Sequence, residues 1–144
     1  MSTPYFIERV VESLAAMPVQ PDHAAAVHGA AITVLRNYGF DVDHEVYVEG
    51  SEGRRGRIDL VVSKWGCSAA IEIDARKPRA KSLEKLRAFN GGRIVALRGV
   101  EVAVEIEGID AVVCIKVRTF RSKIEAETAK RAVRRAVGTS RRPA

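Results

Sequence analysis

Apolar residues near the start of the chain recur at helical spacing and predict two helices. The first is predicted over residues 5–17, where apolar side chains share one face: Phe6, Val10, Val11 and Leu14. Two prolines end it, and Asp22 is placed to cap a second helix that runs to about Tyr38. Gly39 then ends this alanine-rich helix. Both helices are expected to pack an apolar face against a core.

The hydrophobic period then changes from helical to alternating, which predicts strands. Three strands are predicted, over residues 42–49, 57–63 and 68–74. The glycine-rich segment 50–56 separates the first two, and the tight turn 64–66 joins the second to the third. Connections this short predict an antiparallel meander.

Another helix and more strands follow the meander. A helix is predicted over residues 78–89, and residues 93–97 read as a buried strand of the parallel type, reached by a helical crossover. Residues 100–106 alternate weakly, residues 111–117 predict a further strand, and residues 122–137 predict a last helix. The order helix, three strands, helix, strand therefore predicts an α/β domain with a mixed central sheet and additional helices at both ends.

Length and composition fit one packed domain. The 144 residues suffice for a single core, and 47% of them are apolar. We expect an α/β domain over residues 1–118, with its core at about 22–117, followed by a basic helix and tail over 119–144. Cys67 and Cys114 stand apart without metal-ligand spacing and are expected to be structural thiols. With neither a membrane-spanning apolar run nor a secretory signal, the sequence predicts a cytoplasmic protein.

The positive charge is concentrated at one end of the chain. The net charge is +6, and residues 119–144 alone carry eight basic and two acidic residues. The rest is balanced, with 16 of each sign. A neutral body with a basic arm indicates a polyanionic partner, because Lys and Arg gain affinity by releasing phosphate counterions. A solvated helix with a frayed tail is the alternative.

Acidic residues interrupt two of the apolar strands. Asp59 is expected on the face opposite three core residues: Ile58, Leu60 and Val62. Glu72 and Asp74 likewise alternate with isoleucines in the next strand. Burying an unpaired carboxylate costs several kcal/mol, so acids at these positions require a reason. If the strands are hairpin neighbours, Asp59 and Glu72 converge and offer hard oxygen ligands to a divalent cation, with Mg²⁺ the natural candidate.

These residues resemble the PD-(D/E)XK nuclease superfamily. Gly56-Arg57-Ile58-Asp59 is similar to its first motif and Glu72-Ile73-Asp74 to its second, and the element order agrees over about residues 22–117. The resemblance implies a restriction-endonuclease-like fold with an αβββαβ core. It also implies that Asp59 and Glu72 bind the metal ion, Mg²⁺ or Mn²⁺, with the Ile73 carbonyl as third ligand.

The sequence departs from the family at the catalytic lysine, whose position is held by Asp74. A lysine from the next helix can occupy the same space, and Lys81 and Lys85, four residues apart on one helical face, are the first candidates, with Lys77 behind them. Asp74 would then be a further ligand. Glu45, on the polar face of the first strand, is a possible additional ligand, and His28 is a weaker candidate for ligand or proton acceptor.

Basic side chains around the motifs and in the C-terminal helix are candidate phosphate contacts: Arg54, Arg55, Arg57, Lys77, Arg79, Arg131, Arg134 and Arg135. Tyr47 and Trp65 are candidates for stacking on bases, although packing at a sheet edge is the simpler role for Trp65. Alternatively, the three acids belong to a structural ion-pair network with Arg57, Arg76 and Lys77.

The leading hypothesis is a metal-dependent endonuclease that acts on DNA, with branched or structured DNA among the open substrates. A homodimer is expected by analogy with small enzymes of this fold. The rival hypothesis is a non-catalytic nucleic-acid-binding module on a degenerate nuclease fold; a third is a protein-interaction domain indifferent to nucleic acid. Glycine-rich nucleotide-binding motifs and the Gly-x-Ser-x-Gly motif are missing from the sequence.

Overall fold

The computed structural model describes residues 3–49 and 55–119, together with residues 124, 125, 127, 128, 130, 131 and 134. Its elements, in chain order, are α1 (Thr3–Ala15), β1 (Gln20–Pro21), α2 (Ala24–Asn37), β2 (Asp41–Glu49), β3 (Arg55–Lys64), β4 (Cys67–Ala75), α3 (Ala80–Ala88), β5 (Gly92–Arg98), β6 (Ala111–Ile115) and β7 (Val117–Arg118).

A mixed five-stranded sheet forms the centre of the fold, in the order β2-β3-β4-β5-β6. The meander β2-β3-β4 is antiparallel, whereas β4, β5 and β6 run parallel. The predicted α/β class, the meander and the crossover through α3 are confirmed. A second, two-stranded sheet pairs β1 with β7; the sequence pattern did not predict it.

The helices divide the core between the two faces of the sheet. On one face, α1 and α2 bury side chains such as Phe6 and Leu35 against Ile71 and Ile94. On the other face, α3 contributes Leu86 to a smaller cluster. The sheet is therefore covered on both faces, as its mostly apolar β4 and β5 require.

A two-residue turn at Trp65 and Gly66 sets the register of β3 against β4. Both residues have positive φ, +54° and +77°, as the tight hairpin turn that matches strand twist demands. The pairing of Lys64 with Cys67 continues to Leu60 opposite Ile71.

Beyond Leu60 and Ile71, β3 and β4 separate. Over the described residues, β3 continues to pair with β2 as far as Arg55 opposite Glu49, while β4 continues beside β5 as far as Ala75. The two strands thus form a fork, and Asp59 and Glu72 are the first residues beyond its closed end.

The fork changes the face on which β3 packs. Leu60 and Val62 belong to the α1–α2 side of the core, whereas Ile58 packs with Leu86 on the α3 side. The expectation that Ile58, Leu60 and Val62 share one face is wrong. Glu45, which lies between the residues paired with Leu60 and Ile58, has a φ of +53°, so the alternation of faces breaks there.

The weakly alternating residues 100–106, all of them described, form no strand, and Val102 and Val104 are exposed. Two other expectations need correction or restriction. Asp22 does not cap α2, whose N-cap residue is His23. The described residues from 124 to 134 are helical, as predicted, and the rest of the predicted last helix lies outside the described residues.

Cys67, on β4, and Cys114, on β6, are both half-buried and stand outside any disulfide. Within the described part of the chain, no helix combines the length and the apolar character needed to cross a membrane.

Candidate active site

Asp59 and Glu72 bridge the fork between β3 and β4 through reciprocal contacts. The backbone N–H of Asp59 donates to Glu72 Oε2 at 3.1 Å, and the backbone N–H of Ile73 donates to Asp59 Oδ2 at 2.8 Å. Each carboxylate thus binds the backbone of the opposite strand where the regular ladder has stopped. The expected convergence of these two acids is confirmed.

The hydrogen bond from the Ile73 N–H to Asp59 also fixes the direction of the Ile73 carbonyl. In a β-strand, the N–H and C=O of one residue point to the same edge. The Ile73 N–H points to Asp59, across the fork. Its carbonyl therefore also points towards the fork rather than towards β5, which is the placement expected of a third oxygen ligand.

Lys85 is the lysine that reaches the acids. Its Nζ forms an ion pair with Glu72 Oε1 and donates to the Arg57 carbonyl oxygen at 2.8 Å. The Lys85 side chain is only 18% exposed. Lys81, one turn earlier on α3, and Lys77, before the helix, are both exposed. Of the three candidate lysines, the structure brings Lys85 to the site.

The surroundings of Glu72 raise its pKa. Glu72 is fully buried, and burial, followed by the neighbouring Asp59 carboxylate, raises the pKa of Glu72 to about 8. Lys85 and the Asp59 N–H act in the opposite direction, but burial prevails. Without an added cation, Glu72 therefore releases its proton at a higher pH than an ordinary carboxyl group does.

His28, on α2, approaches Asp59 from the other face of the sheet. Its Nε2 lies 3.8 Å from Asp59 Oδ2, which is an electrostatic contact and too long for a hydrogen bond. Burial lowers the pKa of His28, although the Asp59 carboxylate works against that shift. The imidazole is therefore neutral at pH 7 and lies next to the acidic pair.

Asp74 is held by Arg79. The buried Asp74 carboxylate accepts a hydrogen bond from the Arg79 backbone N–H at 3.1 Å and another from Arg79 Nε at 2.9 Å. These bonds fasten the start of α3 to the end of β4. Asp74 was expected as a metal ligand or catalytic residue, and the structure instead engages both of its oxygens with one arginine.

Glu45 lies at the surface beside the fork. Its side chain is 62% exposed, and Oε2 is 3.5 Å from Arg57 Nη1. The Arg57 guanidinium also lies 6.0 Å from the centre of the Tyr47 ring. Glu45 and Arg57 therefore form an exposed pair at the mouth of the site. Trp65 lies in the turn at the opposite end of β3, packed edge-on against Phe40.

The other predicted phosphate contacts are only partly described. Arg131 and Arg134 are exposed on the C-terminal helix. Arg54, Arg135 and the side chain of Arg55 lie outside the described residues.

A network that sequence reasoning missed lies at the end of the sheet near the site. Arg98, at the end of β5, contacts Asp22 Oδ1 at 2.6 Å, and Arg76 lies 3.6 Å from Asp22 Oδ2. Arg57 and Arg76 were considered as partners of the acidic trio, but they pair with Glu45 and Asp22. The available signal was Arg98 itself, a charged residue that directly follows the apolar run Ile94–Leu97 of β5.

The donor set fits a hydrated Mg²⁺ or Mn²⁺ ion. Among the described residues, no three His, Cys, Asp or Glu side chains are grouped to hold a metal. Mg²⁺, however, commonly binds through one or two carboxylates and retains several waters. Asp59 and Glu72 supply two carboxylates, and a divalent cation would compete with the proton that the raised pKa of Glu72 favours.

Comparisons with known proteins give little further information. No family model matches the sequence, and a search of curated proteins gives no significant match. Among solved structures, the chain is similar to the crystal structure of a protein of unknown function, AF1548, with 14% identity and a TM-score of 0.42. That similarity covers 74% of this chain and 53% of the other.

Proposed function

We propose that the protein is a metal-dependent endonuclease that hydrolyses phosphodiester bonds in DNA, with a restriction-endonuclease-like fold of the PD-(D/E)XK type. One observation carries the proposal: the Asp59 and Glu72 carboxylates meet in the fork between β3 and β4, with the Lys85 amine on Glu72. A structural ion-pair network would explain why Lys85 contacts the buried Glu72. It would not explain why Asp59 lies beside Glu72, because two neighbouring carboxylates raise the free energy needed to ionise both.

The residues of the fork divide the chemistry between them. A bound divalent cation would activate water and offset charge on the phosphate. Asp59, Glu72 and the Ile73 carbonyl are the groups that would hold it. Lys85 places a fixed positive charge at the same point, where it can stabilise the charge that develops on the phosphate.

Exposed basic side chains near the fork suit the DNA backbone. Arg57 lies at the mouth of the site, and Arg79, whose side chain is 65% exposed, is oriented by Asp74. Lys77 and Lys81 are also exposed, and the C-terminal helix adds Arg131 and Arg134. Contacts of this kind position the duplex without reading its sequence.

Cleavage assays test the proposal directly. Supercoiled plasmid and branched DNA are incubated with Mg²⁺ or Mn²⁺, and we expect nicking or cleavage that EDTA stops. Glu72→Gln, which keeps the shape and removes the charge, should abolish it. Glu101→Gln, an exposed acid outside the site, is the matched control and should cleave like the wild type.

A non-catalytic nucleic-acid-binding module is the second candidate. It is favoured by Asp74, which stands at the position of the family lysine and is bound to Arg79. Such a module would bind DNA at low salt with the same affinity in the wild type and Glu72→Gln, and would cleave none of the substrates with any divalent ion. Absence of binding even at low salt would exclude both candidates.

We also propose that the enzyme acts as a homodimer in the cytoplasm, since two active sites are needed to cut both strands of a duplex in one encounter. Light scattering on the purified protein decides the oligomeric state: a mass of one chain at micromolar concentration contradicts the dimer.

A further inference from the structure

We infer that Gly56 is a positioning residue for Lys85: the absence of a side chain at position 56 creates the groove in which the lysine stem lies on its way to Glu72. This inference rests on the proposed function, because it assigns Gly56 a part in placing the lysine at the acidic pair. It gives the first residue of the Gly56-Arg57-Ile58-Asp59 segment a task separate from that of Asp59.

The close approach of Lys85 to Gly56 is the first observation. A Cβ atom added at Gly56 would lie 2.7 Å from Lys85 Cγ and 2.8 Å from Lys85 Cδ. Separations below about 3.0 Å are essentially never found for Cβ atoms, so one of the two groups would have to move. The atoms in conflict belong to the middle of the lysine stem, whose path is fixed at both ends.

Both ends of that stem are held. The backbone of Lys85 belongs to α3, which packs on the sheet through the buried Leu86. Its amine contacts Glu72 and the carbonyl oxygen of Arg57, the residue after Gly56. The strand backbone at 56 and 57 therefore supports the lysine twice, first under the stem and then at the amine.

The backbone conformation does not itself require glycine at this position. Gly56 is paired with Val48 within the β2–β3 ladder and does not have positive φ. A glycine inside a strand is less stable than alanine by roughly 0.5–1 kcal/mol. Glycine at such a place marks the close approach of another group, and that group is Lys85.

Gly56→Ala is the informative variant, because the two readings of Gly56 predict different cleavage rates for it. If Gly56 is only a strand residue, alanine leaves the cleavage rate unchanged and the melting temperature equal or higher. If Gly56 seats the lysine, we expect kcat to fall by about 10- to 100-fold, as for misplacement by about 1 Å, with the affinity for DNA unchanged.

A double-mutant cycle connects this loss to Lys85. Lys85→Met retains the stem and removes the charge. Gly56→Ala should lower kcat in the wild-type background and cause no further loss in the Lys85→Met background. An equal loss in both backgrounds, or a wild-type rate for Gly56→Ala, overturns the inference.

Lysine labelling tests the placement of Lys85 by Gly56 without any cleavage assay. Acetic anhydride at limiting concentration, followed by peptide mass spectrometry, reports the reactivity of Lys85 relative to the exposed Lys81 in the same helix. We expect this ratio to rise in Gly56→Ala, because the amine is released from its contact with Glu72. An unchanged ratio overturns the inference. If the wild-type protein cleaves no DNA, the proposed function fails, and labelling still decides whether Gly56 positions Lys85.

Discussion

Asp74 and Arg79 form a closed unit in which a buried carboxylate accepts two hydrogen bonds, of 3.1 and 2.9 Å, from the backbone and the side chain of one exposed arginine. Asp74 is buried, whereas the Arg79 side chain is exposed to water. Loss of Arg79 should therefore destabilise the fold more than loss of the Asp74 charge does. The position that matches the family lysine in the resemblance to PD-(D/E)XK nucleases is thus used to attach α3 to the sheet and to orient a guanidinium.

This unequal dependence predicts an order of stabilities. Asp74→Asn retains an acceptor for the Arg79 N–H and should cost about 1–2 kcal/mol. Arg79→Ala leaves the buried Asp74 with only the backbone bond and should cost more, about 2–4 kcal/mol. Urea denaturation at pH 7 measures both. The opposite order would show that Asp74 is neutral or solvated.

Asp59 is expected to contribute separately to folding and to catalysis. Asp59→Asn retains an oxygen for the Ile73 N–H and should unfold within about 1 kcal/mol of the wild type while losing cleavage and Mn²⁺ binding. Asp59→Ala leaves that N–H without its acceptor and should lose a further 1–3 kcal/mol or so. Equal stability of the two variants in urea would mean that the bond across the fork contributes nothing.

The raised pKa of Glu72 predicts how stability depends on pH. Its pKa is about 8 in the folded protein and near 4.5 in the unfolded chain. The stabilisation from Glu72 is complete below about pH 4.5 and is lost as the pH rises through about 8. Between these values the folded protein keeps a proton on Glu72 that the unfolded chain has released. The free energy of unfolding should fall with a slope of up to about 1.4 kcal/mol per pH unit from this group.

Denaturation of the wild type and Glu72→Gln, from pH 5 to 9, isolates this contribution. The glutamine variant should lack the fall, and a fall of the same slope in both proteins would assign it to another group. Addition of Mg²⁺ should stabilise the wild type most at the upper end of the range, where Glu72 has lost its proton.

The C-terminal helix is predicted to contribute charge but no chemistry. Replacing both Arg131 and Arg134 with Gln should lower the slope of log K for DNA against log salt by up to about 2, with kcat unchanged at saturating DNA. Lys116→Gln, an exposed cation before β7, is the single-charge control. An unchanged slope in the double variant would show that this helix does not contact DNA.

The sequence was sufficient to predict that Asp59 and Glu72 meet, because the tight turn at Trp65 fixes the register of the hairpin. In that register, the two acids stand opposite each other on the two strands. The sequence could not predict the fork, which arises where Glu45 leaves the extended conformation. Nor could it separate Lys81 from Lys85, since residues four apart share a helical face.

Long-range pairs also escaped prediction, for a different reason. The partner of Asp22 is Arg98, 76 residues away, and nothing local distinguishes that contact from the N-cap role that the position suggested. A capping motif depends only on its neighbours in sequence, whereas this ion pair exists because α2 begins beside the end of β5.

The short pairing of β1 with β7 has a consequence for how the protein meets a long polyanion. The Asp22 N–H donates to the Arg118 carbonyl at 2.6 Å, while the Asp22 carboxylate binds Arg98 at the carboxyl end of β5. The chain therefore leaves β7 on the rim of the sheet where β4 and β5 end and the acids lie. Under the proposed endonuclease function, a duplex lying along that rim would meet the chain's cationic end beside Asp59 and Glu72, so binding and cleavage would need no rearrangement of the domain.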